Sequence, residues 1–126
     1  MGSFATALGL YISEFEPTRV TAWIEIGSDH HTPWGIVHGG VYTTAFETLA
    51  SMGACLAVAD RGQLAVGVNN STDFIRSHVQ GRVTMVAEPL HQGRVQQLWE
   101  VRATRDDDGR LLARGQVRLQ NIVAER

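Results

Sequence analysis

The spacing of apolar residues predicts one long helix in the middle of the chain. From Val41 to Ala59 apolar side chains recur every three or four residues, the period of a helix with one buried face. At 1.5 Å per residue this helix would be about 28 Å long, so we expect it to be the central element of the fold. The stripe predicted to face the core contains Val41, Ala45, Leu49, Met52 and Leu56. The opposite face carries Thr43, Thr44, Glu47, Ser51 and Ala54.

The rest of the chain carries a strand pattern. Alternation of apolar and polar residues predicts strands over residues 19–26, 64–76, 82–89, 95–104 and 111–120. The turn Asp106–Gly109 predicts a hairpin between the last two, with glycine at the position that needs a positive φ. Because the four strands after the helix are joined by short connections, they are expected to form an antiparallel meander covered by the helix. Residues 2–13 have a helical spacing and predict a short amino-terminal helix.

Length and charge restrict the kind of protein. A chain of 126 residues fits a single domain over residues 1–126. A net charge of −2 without clustered positive charge argues against nucleic acid or an anionic membrane as a partner. No run of about 18 consecutive apolar residues and no basic leader with an apolar core is present. The single cysteine, Cys55, excludes an intrachain disulfide and suits a reducing compartment, so we expect a cytoplasmic protein.

Residue types missing from the composition exclude several chemistries. All 11 basic residues are arginine, which excludes Schiff-base, pyridoxal and P-loop mechanisms because these need a lysine. The five histidines have no metal-ligand spacing, so no metal is predicted.

The segment Gly35–Gly40, with the sequence GIVHGG, is the least generic part of the chain. Gly39 and Gly40 stand where the long helix begins, and glycine lets a ligand approach the backbone closely. The free N–H groups of a first helical turn can bind an oxygen that gains negative charge. We interpret this segment as an oxyanion site for a thioester or ester carbonyl.

Glu47 is the one acidic residue within the predicted helix. It is either a surface or paired carboxylate, or a nucleophile or general base in a partly dry site, with Ser51 one turn later on the same face. Gly39 and Glu47 are eight residues apart, or about 12 Å along a helix axis. If both serve one reaction, Glu47 of one subunit must meet Gly39 of another in a two-fold dimer, unless the Gly39–Gly40 turn is not helical.

These residues resemble the hotdog-fold acyl-CoA thioesterases, in particular the PaaI-like and 4-hydroxybenzoyl-CoA thioesterase branch. The resemblance rests on the GIVHGG segment, on Glu47 nine residues after His38, and on Ser51. It extends to residues 70–76 (NSTDFIR), to Gly93-Arg94 and to the Asp108-Gly109 turn. It implies an α+β hotdog fold, in which an antiparallel sheet of five to six strands wraps one long helix.

The family likeness also implies roles for individual residues. Gly39 would polarise the thioester carbonyl, Glu47 would be the catalytic carboxylate, His38 would orient the thioester, and Ser51 would hold the water or the carboxylate. Thr32 stands where the family often has Asn or Gln to place the water. The residues expected to contact substrate are Gly40, Trp34, Arg76, Ser77 and Arg94, the arginines because coenzyme A carries phosphates.

The sequence therefore predicts hydrolysis of an acyl-CoA thioester by a homodimer or dimer of dimers, with no cofactor beyond the coenzyme A of the substrate. A non-catalytic acyl-CoA or acyl-carrier binding protein on the same fold is the alternative. A hotdog hydratase is disfavoured, because that branch uses an Asp and His pair in another motif.

Overall fold

A computed structural model describes residues 1–124, so the last two residues of the predicted domain lie outside it. One twenty-residue helix packs across a six-stranded antiparallel sheet, which confirms the predicted α+β architecture. The elements are α1 (Ser3–Ala7), β1 (Tyr11–Glu16), β2 (Arg19–Ile26), α2 (Gly39–Val58), β3 (Gln63–Phe74), β4 (Gly81–Gln92), β5 (Gln96–Arg105) and β6 (Leu111–Val123).

The prediction of a four-strand meander is wrong. The strand order is β1-β2-β4-β5-β6-β3, so only β4, β5 and β6 form the meander, while β3 pairs with β6 at the far edge. The six residues between β3 and β4 cross one end of the sheet instead of forming a hairpin. Backbone hydrogen bonds hold this crossing: Ile75 N–H donates to Leu112 O at 2.8 Å, and Val37 N–H donates to His78 O at 3.0 Å. The crossing thereby lies beside the start of α2.

The predicted short amino-terminal helix is present, but it is shorter than residues 2–13 allow. Helix α1 ends at Ala7, and Gly9 has a φ of 82°, a conformation that stops a helix and that glycine adopts without strain. Residues 11–16 then pair with β2 as an edge strand, Tyr11 opposite Trp23. This strand has only six residues, and three of them are exposed polar residues. Its alternation is therefore too weak to be distinguished from the helical spacing that precedes it.

Helix α2 buries a broader face than the predicted stripe. Val41, Ala45 and Leu49 are buried as expected, whereas Leu56 is 37% exposed and Ala54, expected on the outer face, is fully buried. The helix approaches the sheet closely at Gly53, where an added Cβ would overlap the Trp99 ring. Small residues therefore face the sheet where the helix lies closest to it, which apolar spacing alone does not reveal. The buried face also includes Tyr42, Phe46, Ala50, Gly53 and Val58.

The helix with its following turn, Gly39–Arg61, is long and apolar enough to cross a bilayer by length and composition, with a mean hydropathy of 1.2. Half of this stretch is buried against the sheet, which is how the core helix of a folded domain is placed.

Candidate active site

The first turn of α2 presents backbone N–H donors at the amino end of the helix. His38 precedes the helix, and its Nδ1 accepts a hydrogen bond from Gly40 N–H at 2.8 Å, while Val41 N–H donates to His38 O at 3.0 Å. Across residues 1–124, Gly39 N–H has no hydrogen-bond partner. A helix amino terminus carries partial positive charge, so this N–H suits an oxygen that becomes negative. Since Nδ1 accepts, a neutral His38 keeps its proton on the exposed Nε2.

A cavity of about 380 Å³ lies beside Gly39 and collects several of the predicted residues. Four of them, Thr32, Gly39, Arg76 and Ser77, line it, although they come from three separate segments of the chain. The crossing between β3 and β4 supplies Arg76 and Ser77, and the loop before α2 supplies Thr32. The remaining lining residues are Ile36, Val37, Tyr42, Phe74, Ile75 and His78.

The cavity has an exposed rim and a buried floor. Phe74 is 57% exposed and stands at the rim with Arg76, and its ring lies so close to Gly39 that an added Cβ there would be 2.8 Å from Phe74 Cζ. Val37, Tyr42 and His78 form the floor, each less than a tenth exposed. The Tyr42 hydroxyl is buried without a hydrogen-bond partner, and burial raises the pKa of Tyr42 to about 12 against the opposing positive charge of Arg105.

Glu47 lies two turns further along α2 and faces another groove. Its Oε1 accepts a hydrogen bond from Asn70 Nδ2 at 3.3 Å, and the same Nδ2 donates to Thr43 O at 3.0 Å. Thr72 Oγ1 donates to Asn70 Oδ1 at 2.8 Å, which fixes the orientation of the amide. The carboxylate lies directly over Gly67 of β3, where a side chain would overlap it. This groove, of about 370 Å³, is lined by Phe4, Thr43, Thr44, Glu47, Thr48 and Asn70.

One copy of the chain does not bring Gly39 and Glu47 together. The helix is continuous from Gly39, so the non-helical turn considered above is absent and the axial separation of about 12 Å holds. The two residues also open into different concavities, one with Arg76 and one with Asn70. Any reaction that uses both residues requires a second subunit.

The other predicted residues are dispersed. His38 and Gly40 border a separate pocket with His30 and Asp29, and the N–H of Gly40 already donates to His38. Within the described part of the chain, no three His, Cys, Asp or Glu side chains cluster as metal ligands.

Three predicted residues line neither the cavity beside Gly39 nor the Glu47 groove. Ser51 lines an apolar groove with Phe15 and Leu56 and makes no side-chain hydrogen bond to Glu47 in residues 1–124. Trp34 is 84% exposed outside the cavity. Arg94 lies in the β4–β5 turn at the opposite end of the sheet. The strand position next to this turn, Gln120, is seven residues along β6 from Ala113 beside the cavity, or about 23 Å.

Three residues of the site were missed from the sequence. Gly67 sits inside a strand pattern, a position that signals close approach of another group, and here that group is Glu47. Asn70 follows it on the same strand, three residues later. Tyr42 is one turn after Gly39 on the helix, but the apolar stripe gave no reason to separate it from the core.

Comparison with known proteins identifies the family and the fold of this chain. The chain belongs to the thioesterase superfamily, whose sequence model matches residues 35–112, and its fold is the hotdog fold. The structure is similar to that of the candidate esterase Rv1847/MT1895 from Mycobacterium tuberculosis, with a TM-score of 0.94 and 46% identity over 99% of this chain and 100% of that one. Thioester hydrolysis is thus the general activity of the group.

Two curated relatives are named for specific activities. The proofreading thioesterase EntH of Cronobacter sakazakii is 34% identical over 87% of this chain and 79% of its own length. The 1,4-dihydroxy-2-naphthoyl-CoA hydrolase of Listeria monocytogenes is 30% identical over 83% of this chain and 84% of its own length.

Proposed function

We propose that this protein hydrolyses acyl-CoA thioesters to a free acid and coenzyme A, in two equivalent sites that two subunits share. The observation that carries the proposal is the free Gly39 N–H at the start of a twenty-residue helix, opening into a cavity with Arg76 on its rim. The thioester oxygen would accept from this N–H and gain stabilisation as it becomes negative. The name of the Listeria relative supports a CoA thioester as the substrate.

The partner subunit's Glu47 completes the chemistry in this proposal. As a general base it takes a proton from water, whose oxygen attacks the thioester carbon; the C–S bond breaks and the thiolate leaves, receiving that proton. As a nucleophile it displaces the thiolate itself, and water then hydrolyses the resulting anhydride. Asn70 acts as a positioning residue in both routes, because its amide donates to Oε1 of Glu47.

Arginine supplies the positive charge for coenzyme A in this proposal. Arg76 is exposed at the rim, and none of the ion pairs in residues 1–124 involves it. Its guanidinium can therefore pair with a phosphate without breaking an existing contact. Arg94 is too far from the same chain's cavity to act there and would serve only across an interface.

The proposed location is the cytoplasm, because the single cysteine suits a reducing compartment and the proposed substrate is an acyl-CoA thioester.

The first test measures thiol release from a panel of aliphatic and aromatic acyl-CoAs. We expect the wild type to turn over part of the panel and Glu47→Gln to lower kcat by about 100-fold or more. Glu16→Gln is the matched control, since Glu16 is an exposed carboxylate on β1. If the wild type binds acyl-CoA but releases no thiol, the protein is a binding module and the catalytic assignment is wrong.

A second test addresses the shared site. Chains carrying Glu47→Gln are mixed with chains carrying Gly39→Val, each inactive alone. With random exchange, half of the dimers are mixed and each mixed dimer holds one intact site of two, so about a quarter of the wild-type activity returns. Subunit exchange without recovery would contradict the shared site.

A further inference from the structure

Tyr42 lines the cavity beside Gly39 and carries a polar group that has no partner in residues 1–124. Tyr42 is 3% exposed, and its hydroxyl has neither measurable solvent contact nor a hydrogen-bond partner in residues 1–124. The rings of Phe46 and Phe74 each lie 6.3 Å from its ring, centroid to centroid, and Arg105 is the charged group that acts on it. A buried hydroxyl without a partner is unfavourable, so its presence in a residue that lines a cavity points to a ligand that supplies the partner.

The depth of the cavity indicates which part of a thioester would meet this hydroxyl. Coenzyme A is large and charged, so in a bound thioester it must extend out of the cavity past the exposed rim, where Arg76 and Ser77 lie. The acyl group is the part that can enter the buried end. Tyr42 is three residues, or about 4.5 Å of helix rise, after Gly39. Since helical side chains lean toward the amino terminus, its ring is expected on the Gly39 side of its own Cα.

We propose that Tyr42 is a specificity-determining residue, whose hydroxyl donates a hydrogen bond to an oxygen on the acyl group and so selects oxygen-substituted acyl thioesters over plain hydrocarbon ones. This inference rests on the proposed thioesterase function and on the assignment of the cavity floor to the acyl group. With a pKa of about 12, the phenol keeps its proton at neutral pH and acts as a donor, not as a base. A site whose buried hydroxyl is left unpaired by the wrong substrate discriminates strongly against that substrate.

The test compares Tyr42→Phe with the wild type on matched substrate pairs. The pairs are butyryl-CoA with 3-hydroxybutyryl-CoA, and benzoyl-CoA with its three ring-hydroxylated isomers. We expect the wild type to favour at least one oxygenated member by about tenfold or more in kcat/KM. Tyr42→Phe should lower kcat/KM on that member and bring the ratio between the two members of the pair close to one.

The second tyrosine of the chain provides the matched control. Tyr11 is more than half exposed on edge strand β1, so Tyr11→Phe should leave both rates unchanged. Thermal unfolding without substrate reports on folding, and Tyr42→Phe should keep or raise the Tm because it removes an unpaired buried oxygen. Equal loss of activity on both members of a pair, or an unchanged preference, would overturn the proposal.

Failure of the proposed function is visible separately, as a wild type that releases no thiol from any substrate. In that case calorimetry on the same acyl-CoA pairs decides the role of Tyr42. Wild-type preference for the oxygenated acyl-CoA that is lost in Tyr42→Phe supports the inference, and equal affinities in both proteins overturn it.

Discussion

Replacing Gly67 with alanine should damage catalysis while leaving the fold intact. Gly67 lies on β3 directly beneath the Glu47 carboxylate. A Cβ at this position would stand 3.0 Å from the carboxyl carbon of Glu47, whereas carbon atoms ordinarily approach to about 3.5–4.0 Å. The carboxylate must therefore retreat by roughly 1 Å and turn away from Asn70.

The size of the effect follows from that displacement. Moving a catalytic group by 1 Å can lower a rate by about 100-fold, which corresponds to about 2.7 kcal/mol of transition-state stabilisation. The free energy of unfolding should stay the same or rise, because alanine in a strand is favoured over glycine by about 0.5–1 kcal/mol. A loss of kcat with an unchanged or raised Tm is the expected combination.

The assay is steady-state thiol release by four proteins, namely the wild type, Gly67→Ala, Glu47→Gln and the double variant. In the Glu47→Gln background the alanine should have no further effect, because the group it displaces no longer acts. Gly27→Ala is the control, since Gly27 has extended backbone and no atom near its missing Cβ. Retention of kcat within twofold in Gly67→Ala, or an equal further loss in the double variant, would refute the reasoning.

Three further changes test other parts of the structure. Asn70→Ala should lower kcat about tenfold with little change in KM, because it removes the donor to Glu47, while Asn69→Ala, on the exposed neighbour, should not. Gly53→Ala should destabilise the fold by about 1–3 kcal/mol, seen as a lower Tm, because the added methyl meets the Trp99 ring. Thr44→Glu, close to the midpoint of the helix between Gly39 and Glu47, should weaken the proposed dimer in analytical ultracentrifugation by bringing like charges together.

Strong periodic signals in the sequence predicted most of the elements. Helix α2 and the five strands after residue 18 begin and end within a few residues of their predicted bounds. Gly109 has a φ of 70°, as the hairpin turn requires. These features depend on local spacing and turn chemistry, which a single chain displays directly.

Features that depend on strand order could not be predicted. The connection from β3 to β4 has six residues, which is short enough for a hairpin and long enough to cross the sheet end, and only pairing partners decide between the two. That crossing brings Arg76 and Ser77 to Gly39, so the cavity depends on an order that spacing does not encode. The contact of Glu47 with Asn70 depends on the same placement of β3.

The separation of Gly39 and Glu47 on one rigid helix restricts how two subunits can assemble. In a two-fold dimer with antiparallel helices, the numbers of two residues that face each other across the axis always add up to the same total. If Gly39 faces the partner subunit's Glu47, that sum places the axis close to Thr43, midway between them. Each subunit then gives its cavity to one site and its Glu47 groove to the other. In such a dimer the two concavities of one chain belong to two different sites, and the partner subunit completes each of them.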